Sequence, residues 1–151
     1  MIARSLAELW TIFAPKDSLL PDLAFDAVLA RADHGEFSAC LPRLLEIVTL
    51  PEADPEYAIA VFDRLELAAW TDWPDHERRP VERLLDLWWS TELALEPGNP
   101  PLHDVLAALA RLDQPLGRWL RPWLEDLDGP GARHFVALVD DQLSSERWAE
   151  V

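Results

Sequence analysis

The chain has 151 residues, half of them apolar, and its 28 acidic residues against 13 basic ones give a net charge of −15. That length fits one domain, residues 1–151, with material enough for its own core. An acid excess shared by both halves of the chain argues against nucleic-acid phosphates and anionic membranes as partners, and a single cysteine excludes an internal disulfide or a Cys-rich zinc site.

Helix punctuation is the clearest local signal. Ser5-Leu6-Ala7-Glu8 has the form of a capping box, and Leu6, Leu9, Trp10 and Phe13 follow at helical spacing until Ala14-Pro15. A second helix is expected over Pro21–Ala32, apolar on two sides and stopped by Gly35. A third follows Ser38 and uses Leu41, Leu44, Leu45 and Val48, with Pro42 in its first turn, where a missing amide is tolerated. Asp54-Pro55 is a cap followed by a first-position proline. It opens a helix through Tyr57, Val61, Phe62, Leu65 and Ala69.

Asp72-Trp73-Pro74 begins the next element, which Pro80 should kink or restart and which carries Leu84, Leu85, Trp88 and Trp89 as far as Pro97-Gly98. Asn99-Pro100 repeats the cap-and-proline device before Val105, Leu106, Leu109 and Leu112. Leu116, Trp119, Leu120, Trp123 and Leu124 mark a helix bent at Pro122. Gly129-Pro130 opens the last one, with Phe135, Leu138, Val139 and Leu143 on its stripe. Alternation with β-branched residues is missing, so no strand is expected. The fold class is therefore all-α, with about eight helices joined by short loops.

Taken in pairs, the helices start near residues 5, 38, 74 and 115, a spacing of roughly 33 to 41 residues. This pattern resembles the HEAT-like α-solenoids, built of stacked antiparallel helical hairpins. The resemblance implies a scaffold that grips a protein segment on one face. A compact helical bundle is the alternative architecture.

Residues that bear chemistry are few. His76, the His103-Asp104 pair, and Asp140 or Asp141 resemble the ligand set of the all-helical HD phosphohydrolases, which implies a divalent metal that activates water. The context departs from that family, because Asn99-Pro100-Pro101 precedes the His-Asp pair where an apolar helical run is usual. Cys40 near a helix start, with His34 upstream, offers a thiol–imidazole pair, although a Cys beside Leu41 also reads as a small core residue. The five glycines are scattered and form no phosphate loop, and Glu-x-x-His does not occur. Arg78, Arg79 and Arg83 lie among acids at helical spacing and are read as intrahelical ion pairs.

Eight tryptophans are the oddest feature. Trp10, Trp88, Trp119 and Trp123 fall on apolar stripes. Trp89 points roughly 100° from Trp88, and Trp70 lies on the stripe of Asp63 and Glu66. If exposed, Trp70, Trp73 and Trp89 would form a protein-binding patch rimmed by Asp63, Glu66, Asp72 and Asp86. The competing reading packs all three under neighbouring helices, with Trp73 stapling the helix that follows it.

The function expected from these features is a non-enzymatic, protein-binding helical scaffold or adaptor with no catalytic residues and no cofactor. Its partner is a protein, with a second copy of the chain as another candidate. An acidic inhibitor or immunity-type protein covering a basic surface is the alternative, and an HD-like metal-dependent phosphohydrolase the second. A lone cysteine, no leader pattern and no run as long as a membrane span point to the cytoplasm.

Overall fold

The structure, a computed structural model, describes residues 1–13, 34–51, 53–98, 101–125 and 128–149. The helix expected over Pro21–Ala32 and the Asn99-Pro100 cap lie outside the described residues. Those described form seven α-helices and one short 3-10 turn, with no strand among them. The all-α class is correct.

Helix α1 spans Ile2–Phe13 and buries Ser5, Leu9 and Phe13. It starts three residues before the expected cap. Ile2 and Leu6 pack against the core, so the apolar stripe continues through Ser5 rather than beginning after it. Ser5 N–H already bonds the Met1 carbonyl, and the Ser5 hydroxyl is buried with no partner among the described residues. Trp10, expected in the core, is exposed, because it sits one residue off the Ser5–Leu9–Phe13 line.

Helix α2, His34–Val48, also starts early, so Ser38 is internal and Pro42 lies mid-helix rather than in the first turn. The proline ring is buried beside Leu41. Phe37, Cys40, Leu41, Leu44, Leu45 and Val48 make the core face.

Helix α3, Pro55–Leu67, starts as the sequence indicates: Asp54 caps it by accepting the Glu56 N–H at 3.0 Å, and Pro55 follows. The chain reverses just past its end at Ala69, whose φ of 47° and ψ of 48° are left-handed. This is the position where a helix usually has glycine. The reversal leads into the 3-10 turn Trp70–Asp72 and then into helix α4, Asp75–Ala94. Pro80 does not restart α4, which runs through it unbroken. It lies in the second turn, costs one amide bond and is itself buried.

Helix α4 buries Val81, Leu84, Leu85, Trp88, Trp89 and Leu93, a band too wide for a single neighbour. Helices α1, α5 (Leu102–Leu109), α6 (Gly117–Glu125) and α7 (Pro130–Ala149) all rest on it. The α1–α4 interface is the most extensive, followed by α3–α5 and α1–α2. The buried residues of these elements form one continuous cluster. Interhelical ion pairs pin its edges: Arg83 of α4 to Glu8 of α1, Arg118 of α6 to Asp86 of α4 at 2.6 Å, and Arg111 to Asp63 of α3 at 2.7 Å. No described helix is long and apolar enough to cross a membrane.

Candidate functional site

The three tryptophans singled out by the sequence do not make a surface. Trp70, Trp73 and Trp89 are only 0%, 6% and 1% exposed. The left-handed Ala69 turns the chain after α3, so Trp70 leaves the polar stripe predicted for it and folds inward. Its Nε1 donates to Glu66 Oε1 at 2.7 Å. Trp73 packs against Phe13 at 5.8 Å between ring centroids and donates to the Ala68 carbonyl. Trp89 meets Trp123 edge-on at 6.2 Å, because α6 covers the side of α4 that helical geometry left open.

Of the acids expected to rim that patch, Asp63, Glu66 and Asp86 are engaged internally. Asp63 accepts two bonds from the Arg111 guanidinium, at 2.7 and 3.2 Å. Glu66 Oε1 accepts the Asp113 N–H at 2.8 Å besides the Trp70 indole. Both residues tie α3 to the turn after α5 and serve the fold. An exposed binding patch at Trp70, Trp73, Trp89, Asp63 and Glu66 is thereby overturned.

The residues of the HD-like pattern stay apart. His76 is exposed at the start of α4 and lies 3.7 Å from Glu77, while His103 lies 3.6 Å from its neighbour Asp104. Among the described residues, no three His, Cys, Asp or Glu side chains come together as metal ligands would. Cys40 is buried. The arginine cluster is paired as its spacing indicates: Arg78 reaches Asp75 and Glu82, and Arg79 reaches Asp75. The hydrogen bond from Arg78, with the charge of Arg79 beside it, holds the Asp75 carboxyl below the usual carboxylate range.

Two features emerge that the sequence did not single out. The first is on α7. Of its expected stripe, Leu138 packs against the core while Phe135 and Val139 are turned away from it, with Phe135 49%, Val136 58% and Val139 40% exposed. His134 takes the inward position, its Nε2 lying 2.9 Å from the Leu95 carbonyl at the end of α4. Trp123 Nε1 fixes the same end by donating to the Gly131 carbonyl at 2.9 Å. Phe135, Val136 and Val139 thus share one open face of α7, and Asp140 and Asp141 beside them are exposed.

The second feature is a small depression, with room for about one water-sized group, where the α2–α3 connection meets α4 and α5. Its apolar lining comes from Val48, Leu50 and Pro51, from Pro55 and Ala58 of α3, and from Val105 and Ala108 of α5. Trp88, Glu92 and Asp54 are its polar lining. Burial pushes the Glu92 carboxyl up from its ordinary value, and a hydrogen bond from Trp88 partly offsets this. A search for Glu92 by motif had nothing to find, because its distinction is where α4 places it.

No family model, curated protein or solved structure matches the chain.

Proposed function

We propose that the protein is a non-enzymatic helical scaffold, of the HEAT-like kind, whose open α7 face docks a basic amphipathic helix of a partner protein. The observation that carries this reading is the apolar face of Phe135, Val136 and Val139 on a chain of net charge −15. An apolar centre with an acidic surround suits a helix with apolar residues on one side and lysine or arginine flanking them. The charge also works against a second copy as the occupant, since two such chains repel.

Arginines that would soften the acid surface are committed internally: Arg43, Arg78, Arg79, Arg83, Arg111, Arg118 and Arg133 each pair with a carboxylate. This supports a second form of the same reading, an inhibitor that covers a basic enzyme surface. The lone, buried Cys40 suits a reducing compartment, and we place the protein in the cytoplasm.

The test is calorimetric titration with a synthetic amphipathic leucine–lysine helix, using the wild type and a Phe135→Ser, Val139→Ser double variant. These substitutions leave the charge unchanged, so a general polyanion effect survives them. Saturable binding that weakens about tenfold in the variant supports the docking face. Equal binding by both proteins, or a wild-type dimer in sedimentation that the variant abolishes, would overturn it.

A further inference from the structure

We infer that α6 and α7 form a detachable cover over the Trp89 side of α4, one that lifts while α1 to α5 stay folded and so decides whether a buried tryptophan surface is presented. Three features set this part of the fold apart from the rest.

The first is a pair of orphan indoles. Six tryptophans of the described residues are buried. Four donate to an acceptor: Trp70 to Glu66, Trp73 to the Ala68 carbonyl, Trp88 to Glu92 and Trp123 to the Gly131 carbonyl. Trp89 Nε1 and Trp119 Nε1 have no partner among the described residues, although each side chain is only 1% exposed. Both belong to the contact of α6 with α4. Trp89 meets Trp123 edge-on, and Trp119 lies one turn before Trp123 on the same side of α6. A buried N–H without an acceptor destabilises the closed state by its lost hydration, and opening returns it to water.

The second is how little else the two helices add to the core. α6 buries Trp119 and Trp123, and the buried residues described in α7 are Gly131 and His134. Leu120 and Leu138 are only partly covered. Pro122 removes one amide bond from the nine residues of α6. The contacts of α6 and α7 with α4 are smaller than those of α1 with α4 or of α3 with α5.

The third is the pattern of attachment. Arg111 on Asp63 and the Asp113 N–H on Glu66 fix the chain to α3 as far as residue 113. Pro115, Leu116 and Gly117 beyond them are exposed, so α6 can swing from there without disturbing α3. What holds the cover shut, besides its tryptophans, is polar: the two-pronged bond of Arg118 to Asp86, the pair of Arg133 with Glu96, and His134 against the Leu95 carbonyl. Ion pairs at a surface exchange readily for water. Once the cover lifts, Trp89, Trp119 and Trp123 meet solvent together, and tryptophan is enriched where proteins bind one another.

Native-state hydrogen exchange of the ¹⁵N-labelled protein in low urea is the test. The Trp89 and Trp119 indoles and the central amides of α6 and α7 should share one opening. Its protection should be at least about tenfold below that of the Trp70 indole, with a weaker dependence on urea. Asp54→Ala weakens α3 and not the cover. It should lower Trp70 protection about fivefold, the scale of a lost helix cap, and leave the Trp89 and Trp119 set unchanged. Where Asp54→Ala does not fold, Ala69→Gly gives the reverse test, raising Trp70 protection with that set unmoved. One protection shared by all the indoles, indole exchange independent of the α6 and α7 amides, or a set that shifts in step with Trp70 in either variant would overturn the cover.

Discussion

Ala69 carries a backbone cost that a single substitution removes. In the left-handed region a Cβ meets the following carbonyl, so L-residues other than glycine are strained there. Ala69 is exposed and is the only non-glycine with positive φ among the described residues. Ala69→Gly loses no packing and should raise stability by about 0.5–1 kcal/mol, the benefit of relieved strain less the extra freedom of glycine in the unfolded chain. Urea denaturation measures this, and a lower midpoint in the variant would refute the strain. Glu92 offers a second test. Its carboxyl pKa is raised in the folded chain by burial, so the folded state binds the proton more tightly than the unfolded state. Stability therefore falls as pH rises through the glutamate range into the raised folded value. Glu92→Gln removes that loss: it should melt above the wild type at neutral pH, and the gap should close on acidification. Melting curves across a pH series report it, and a gap independent of pH would assign the effect to something other than ionisation.

Among the elements, α3 shows what short-range signals can determine. Asp54-Pro55 marks its first turn because the cap and the fixed proline φ act within three residues, and Asp54 accepts the expected amide. Asp54→Ala should cost about 1 kcal/mol, measurable by thermal denaturation. No loss would mean that water serves the amide equally well. The starts of α1 and α2 were less legible. Ser5 and Ser38 have the chemistry of caps, but Ile2 and Phe37 extend the buried stripes past them, and tertiary burial outweighs a local cap. The tryptophans failed for a longer-range reason. Periodicity gives the angle of a side chain on its own helix and says nothing about which other helix covers that angle. Trp89 is buried because α6 brings Trp123 to it, and Phe135 is exposed because His134 reaches Leu95 instead. Glu92 belongs to the same class, since its environment comes from α2, α3 and α5 together.

Over the whole molecule, α4 joins what the rest of the chain cannot. Trp89 lies at the centre of its contact with α6, and Trp89→Ala should cost about 3–5 kcal/mol, a large share of the stability of a domain this size. A melting midpoint within a few degrees of the wild type would show that α6 is peripheral. The acid surface acts in the opposite sense to this packing. With a net charge of −15, the folded chain repels itself, so moderate sodium chloride should raise the melting temperature. A steady fall with added salt would instead mean that the interhelical pairs of Arg83, Arg111 and Arg118 dominate.

The dependence of α1 on α4 sets a waiting time during synthesis. Leu9 and Phe13 leave the ribosome well before the helix that covers them, which is finished only at Ala94. At a translation rate of roughly 5–20 residues per second, the first helix spends several seconds with its apolar stripe bare. α2 emerges in the interval and shields part of that stripe. A nascent chain stalled before residue 75 should therefore expose more of the N-terminal helix to a holding chaperone than one stalled well beyond residue 94, and chaperone crosslinking to Leu9 would register the difference.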